Sequence, residues 1–282
     1  MYAMTPPPNP SVLRSLACKS KNENHYYYPQ HSTESAQLFR RHLHPRIDST
    51  ATTSTRTIAR FGRGPIEFAI SHYLLAVNMT QPEPRIQNPV LFICDLQEKF
   101  RPAIYEFDKV VATTRKMLKA SQILNIPVVA TTQNKARLGE TCPELGLDQP
   151  GGVKTVVHAD KTLFSMVTPE ITSTLSTLHP SSSPLTCVLT GIESHICITQ
   201  TALDLLALNH NVYILADAVS SCNKEEIPIA LARLRAAGAV VTTSESWLYE
   251  CVRDAGAREF RDVVGLVREW KEATRGSLGA LL

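Results

Sequence analysis

The sequence has no C-x-x-C pair. Its seven cysteines, Cys18, Cys94, Cys142, Cys187, Cys197, Cys222 and Cys251, stand apart from one another. Their odd count and scattered spacing argue against both a disulfide framework and a zinc site, and fit a reducing compartment. No apolar run is long enough to cross a bilayer, and no internal repeat is visible. A basic footprint for nucleic acid is missing from most of the chain. Residues 1–78 hold nine Lys/Arg against four Asp/Glu, a net of +5. The whole chain is +3, so the remainder is −2. What is present is a globular composition, with 43% hydrophobic residues in 282, enough for a packed core.

Residues 1–78 differ from the rest. Prolines at Pro6, Pro7, Pro8 and Pro10 remove amide donors and resist regular structure. Gln30 to Thr57 is rich in Ser, Thr, His and Arg without apolar periodicity, the composition of a disordered segment. Phe68 to Val77 could form a short local element, but it has no evident partner. The segment reads as an extension dispensable for folding or as a transit peptide, since acids are sparse and Arg, Ser and Thr common. The expectation is a domain over residues 79–282 starting at Met79. The expected location is cytoplasmic, with mitochondrial as the alternative if residues 1–78 act as a transit peptide.

From Pro89 the chain alternates between apolar runs and helical periodicity. Strands are expected at Val90–Cys94, Val128–Thr131, Thr155–His158, Cys187–Thr190, Val212–Leu215 and Ala239–Thr242. Helices are expected near Phe107–Leu124, Pro169–Leu178, Ile196–Leu208 and Ile227–Ala237, with two more near Trp247–Arg253 and Arg258–Trp270. This pattern predicts an α/β fold: a three-layer αβα, Rossmann-like arrangement around a six-stranded, mostly parallel sheet. The glycine-rich stretch from Gln133 to Lys154 is too long for a simple connection and is placed to cover a site.

In such a sheet ligands bind beyond the carboxyl ends of the strands. Asp95 ends the first strand, Lys161 follows the third, and Cys197 opens the helix after the fourth. Unpaired amides and the helix dipole at a helix start favour a thiolate. The three residues therefore form a candidate base, cation and nucleophile. Each alone has a plainer reading: a buried helix cysteine, a turn aspartate and a solvated lysine.

The order and setting of these residues resemble the isochorismatase-like cysteine hydrolases. The local words are Cys94-Asp-Leu-Gln-Glu-Lys-Phe100, Asp160-Lys-Thr-Leu-Phe-Ser-Met166 and Gly191-Ile-Glu-Ser-His-Ile-Cys-Ile-Thr-Gln-Thr201. They are most similar to the eukaryotic isochorismatase-domain-containing proteins, over roughly Gln87 to Val267. The resemblance implies hydrolysis of a C–N bond in a small amide-like substrate through a covalent thioester. Cys197 would attack, Asp95 would carry the proton and Lys161 would hold the charges in place. It also implies an oxyanion hole from the backbone N–H groups of Glu193 and Cys197, a cis peptide between Ile192 and Glu193, and a homo-oligomer. An apolar pattern at Phe260, Val263, Val264, Leu266, Val267 and Trp270 offers a contact face, or simply covers the sheet.

The resemblance has limits that narrow the chemistry. Related nicotinamidases hold a metal with histidines after the second strand, whereas Thr131 to Gly139 contains none. No metal and no cofactor are therefore expected. Members that cleave isochorismate lack the cysteine, so Cys197 argues against that substrate. The expected partners are a small-molecule substrate and further copies of the chain, with neither nucleic acid nor membrane. Gln133 reads as a substrate hydrogen-bonder or an exposed loop amide, and Phe100 and Phe164 as pocket walls or core aromatics. His195 reads as a tuning residue or as a structural one. The rival to an enzyme is a binding or scaffold protein that kept the fold.

Overall fold

Five consecutive apolar residues, Val90 to Cys94, can be buried only if both faces of their strand are covered. The computed structural model, which describes residues 85–147, 153, 155–178 and 183–282, shows that arrangement. The expected extension over 1–78, the domain start at Met79, the element near Phe68 to Val77 and part of the Gln133–Lys154 stretch lie outside the described residues.

In chain order the main elements are β1 (Pro89–Cys94), α1 (Phe107–Ile123), β2 (Val128–Gln133), β3 (Thr155–Lys161), α2 (Pro169–Leu178), β4 (Thr186–Ile192), α3 (Thr199–Ala207), β5 (Asn211–Ser220), α4 (Glu226–Ala236), β6 (Val240–Thr242), α5 (Ser244–Val252), α6 (Phe260–Glu269) and α7 (Lys271–Leu281). The six strands form one sheet in the order β3-β2-β1-β4-β5-β6, and every pairing is parallel. The sheet is thus entirely parallel rather than mostly so.

Side-chain alternation along β1 divides the core in two. Leu91 and Ile93 join Val110, Met117, Trp247, Val263 and Leu281 on the face covered by α1, α5, α6 and α7. Val90, Phe92 and Cys94 join Ile171, Ile198, Leu205 and Leu234 on the face covered by α2, α3 and α4. The stripe from Phe260 to Trp270 is used within the chain: Val263 and Leu266 are buried, and Phe260, Val267 and Trp270 pack against the same core.

Two strands run further than their apolar segments. β3 reaches Lys161 because Thr132 and Gln133 of β2 stay in register with Asp160 and Lys161. β5 continues through Asp217 to Ser220. The polar groups there are satisfied by distant partners: Asp217 accepts from the Ser244 amide at 2.8 Å and the Ser244 hydroxyl at 2.5 Å, and the Ser220 hydroxyl donates to the carbonyl of Tyr105.

The final helix, α7, was not expected. It docks on α1 largely through polar contacts: Thr113 Oγ1 to Ser277 Oγ at 3.0 Å and Lys116 Nζ to Thr274 Oγ1 at 2.9 Å. Burial pulls the pKa of Lys116 down, against the opposing pull of Asp217 and Glu245.

Gly191 is a point of close approach between the two central strands. It pairs with Cys94 in register and has φ +116, and a Cβ there would run into the Cys94 carbonyl oxygen. Gly191→Ala combines an unfavourable backbone conformation with overpacking against fixed main chain, and should cost about 3 kcal/mol or more. Thermal and urea unfolding of the purified variant measure this, and a loss below about 1 kcal/mol would show that the strands can part.

Candidate active site

The strand order reverses between β1 and its two neighbours, since the chain leaves β1 toward β2 and later returns on the other side as β4. At such a reversal the loops diverge and leave a crevice at the carboxyl edge. Asp95 stands there, one residue past β1, in the left-handed region at φ 50, which Asp tolerates better than most residues. It is 1% exposed.

Every polar atom of the Asp95 side chain is engaged. Oδ1 accepts from Thr131 Oγ1 at 2.8 Å. Oδ2 accepts from Lys161 Nζ at 2.7 Å and from the Cys94 thiol at 3.4 Å. Lys161, the last residue of β3, also donates to Gln133 Oε1 at 2.7 Å and reaches the carbonyl oxygens of Leu163 and Phe164 at 3.2 and 3.1 Å. Burial by itself would lower the pKa of this amine. The neighbouring Cys94, Asp95 and Cys197 outweigh it, and the pKa lies above the ordinary lysine value. Lys161 is therefore a fixed positive charge that neutralises the aspartate and holds it still.

Cys197 arrives from the other side of the reversal. β4 ends at Ile192, the Ile192–Glu193 peptide is cis, and a π-helical turn over Ser194–Ile198 leads into α3. π turns recur at functional sites because they re-aim one side chain. Thr199 Oγ1 donates to the Ser194 carbonyl at 2.6 Å, and Thr201 Oγ1 donates to the Cys197 carbonyl at 2.7 Å, which pins the turn from below. The sulfur of Cys197, an oxygen of Asp95 and the sulfur of Cys94 all lie within 4.8 Å of one another. Cys94 is fully buried, and burial, with contributions from Cys197 and Asp95, pushes its pKa well up. Cys94 is thus held protonated by its surroundings.

Residues 89–246 match the family described as the Isochorismatase domain, and this span contains Asp95, Lys161 and Cys197. The chain belongs to the isochorismatase family. Among its relatives, the secreted isochorismatase effector Isc1 of Phytophthora sojae is 39% identical over 189 residues, covering 66% of this chain and 88% of the relative. Isochorismatase domain-containing protein 2A of Mus musculus is 40% identical over 183 residues, 65% of this chain and 84% of the relative. A solved structure, the MAR1 ribonuclease of Caenorhabditis elegans, superposes with a TM-score of 0.59 at 36% identity, covering 64% of this chain and 90% of that one.

Within this isochorismatase fold the other residues singled out by sequence take distinct places. Gln133 serves Lys161: its side-chain Oε1 accepts from the ammonium, and its side-chain Nε2 donates to the Thr162 carbonyl at 2.9 Å. Phe100, in the short 3₁₀ turn Glu98–Phe100, packs against the core under α1. Phe164 is 50% exposed beside Leu163 at 56%, next to the two carbonyls that hold Lys161. His195 bonds Ser221 Oγ through Nδ1 at 2.9 Å.

Sequence reading passed over two residues that build the site, and saw a third only as core. Thr131 orients the carboxylate. Gln97, fully buried, accepts from the Gln133 backbone N–H at 2.7 Å and donates to the backbone carbonyls of Gln133 and Gly139 at 3.2 and 2.7 Å. It stitches the segment after β2 to the exit of β1. Cys94 is a core residue that also touches the carboxylate. The signal available for Thr131 was a polar residue ending an otherwise apolar strand.

Lys161→Met leaves Asp95 buried without its counter-charge and should destabilise the fold by about 3–5 kcal/mol. Adding Asp95→Asn should recover part of that loss, because the stranded charge is then gone. Urea denaturation of the two single variants and the double variant measures the coupling. Additive losses would mean that the pair is not sealed from water.

Proposed function

We propose that this isochorismatase-family chain is a metal-independent cysteine hydrolase that cleaves a C–N bond of a small amide-like compound. The observation carrying this reading is the approach of the Cys197 sulfur to the carboxylate of Asp95, whose second neighbour is the buried Lys161 ammonium.

The geometry supports a two-stage reaction. Asp95 accepts the thiol proton as Cys197 attacks the carbonyl carbon. Negative charge develops on the carbonyl oxygen, where the backbone N–H groups of Glu193 and Cys197 would receive it. Asp95 returns the proton to the nitrogen, the amine departs, and a thioester remains on Cys197. Water then attacks the thioester with Asp95 taking its proton, the acid leaves, and the thiol is restored. Lys161 keeps Asp95 in place throughout without being consumed. Phe164, exposed at the rim, is suited to an apolar part of the substrate, while Gln133 acts through Lys161. Self-association belongs to the same proposal, and a monomer mass by light scattering at micromolar protein would remove it.

Thiol reactivity tests the nucleophile directly. Burial raises the pKa of Cys94 far above that of a free thiol, that of Cys142, Cys187 and Cys251 to about 12, and that of Cys222 to about 11. Near pH 8 these five stay protonated, so iodoacetamide should label Cys197 ahead of all five, as read by peptide mass spectrometry. Small amides that are substrates should slow the labelling. Cys197→Ala should cut turnover by about a thousandfold or more, and Asp95→Asn should abolish it in the fraction that remains folded. If exposed Cys222 reacts ahead of Cys197, and no amide in a screening panel is turned over, the scaffold reading takes its place. The C. elegans relative carries the name ribonuclease, so RNA belongs in the same panel.

A further inference from the structure

Among the described residues, three groups of cysteine, histidine and carboxylate side chains, the proposed hydrolase site included, have ligand atoms within 4.8 Å of one another. Two already hold a cation. Cys94, Asp95 and Cys197 surround the carboxylate bonded to Lys161. Glu98, Cys142 and Glu144 surround Arg101, whose guanidinium bonds both glutamates at 2.6–2.8 Å and reaches the Cys142 sulfur at 3.6 Å. The third group is Glu193, His195 and Cys222, and no lysine or arginine among the described residues is bonded to it.

We propose that Glu193, His195 and Cys222 bind a borderline divalent metal ion, with Zn²⁺ the best fit. Carboxylate, imidazole and thiolate are the donor types that zinc takes, and three protein ligands plus water is a common coordination for it. With bonds of about 2.0–2.3 Å, tetrahedral donors stand about 3.3–3.8 Å apart, so the group needs only a modest contraction.

The backbone places these donors with little freedom. Ile192 of β4 and Ser220 of β5 are in register, so Glu193 and Cys222 leave adjacent strand ends one and two residues beyond that pair. The carboxylate is drawn toward Cys222 already, since Glu193 Oε2 accepts from the Cys222 amide at 2.8 Å. His195 Nδ1 bonds Ser221 Oγ at 2.9 Å, which fixes the ring with one of its nitrogens within 4.8 Å of the other two donors. Glu193 and His195 are half-buried and Cys222 is exposed, so the ion has an entry path and a coordination position for water.

Binding needs no redox partner: the Cys222 thiol and any imidazole proton are released to solvent as the ion binds. The ion would take no part in the bond cleavage proposed above. It would tie the turn carrying Glu193 and Cys197 to the end of β5, and so bear on the rigidity of the nucleophile turn. The metal site itself does not depend on the hydrolase reading.

Titration of the full chain with Co²⁺ and then Zn²⁺ tests this, with a thiolate-to-cobalt charge-transfer band as the signature of sulfur ligation and competition giving the zinc affinity. The expected result is one equivalent bound with sulfur ligation. Cys222→Ser should remove the band, and both Cys222→Ser and His195→Ala should weaken that equivalent at least about tenfold. Cys197→Ser and Cys94→Ser should leave it in place. Circular dichroism confirms that each variant is folded. Three outcomes overturn the site: no metal bound by the wild type, binding lost with Cys197→Ser but kept with Cys222→Ser, or a titre unchanged by both Cys222→Ser and His195→Ala. The last would assign the metal to other donors, such as Cys18 and the histidines before residue 85.

Discussion

The contact between Lys161 and Asp95 sets conditions that the surrounding structure has to meet. Both groups are almost completely withdrawn from water, and an isolated buried charge costs several kcal/mol. The ammonium therefore gathers four oxygens, the carboxylate gathers a hydroxyl and a thiol beside it, and β2, lying between β1 and β3, contributes Thr131 and Gln133 to both. A carboxylate locked in this way cannot swing between roles. It can exchange a proton only with what is brought to it, and the π turn after β4 brings the sulfur of Cys197.

Much of this was legible in the sequence because Asp95, Lys161 and Cys197 each close or follow an apolar run, and in a parallel sheet the carboxyl ends of such runs share one edge. The number of strands and the helices between them followed from periodicity alone. What escaped were places where a polar residue belongs to the interior. The ends of β3 and β5 looked like loops because Asp160, Lys161, Asp217 and Ser220 interrupt the apolar pattern. Their partners, Asp95, Ser244 and Tyr105 among them, are far away in the chain. α7 was invisible for a related reason. It meets α1 through Thr274 and Ser277, and its Gly276 and Gly279 weaken any helical signal.

The cysteines show the same division. Spacing along the chain spoke against a metal, and that argument holds for local motifs of the zinc-finger kind. It is blind to donors that only adjacent strand ends bring together, as with Glu193 and Cys222, 29 residues apart. Cys94 makes the complementary point. Its burial in an apolar strand was evident from sequence, whereas its contact with the Asp95 carboxylate depends on how β1 exits the sheet.

Asp95 and Lys161 lie 66 residues apart, and Cys197 is supplied by yet another strand–helix unit. No single strand–helix unit holds all three residues, and closure of long segments must precede the contacts that reward it. A folding chain passes through stages in which its sulfur is present but no base stands beside it. If the three residues act together as proposed, chemical competence waits until β1, β3 and β4 share one sheet. A chain stalled with β3 undocked could retain most of its secondary structure and still lack the anchored carboxylate.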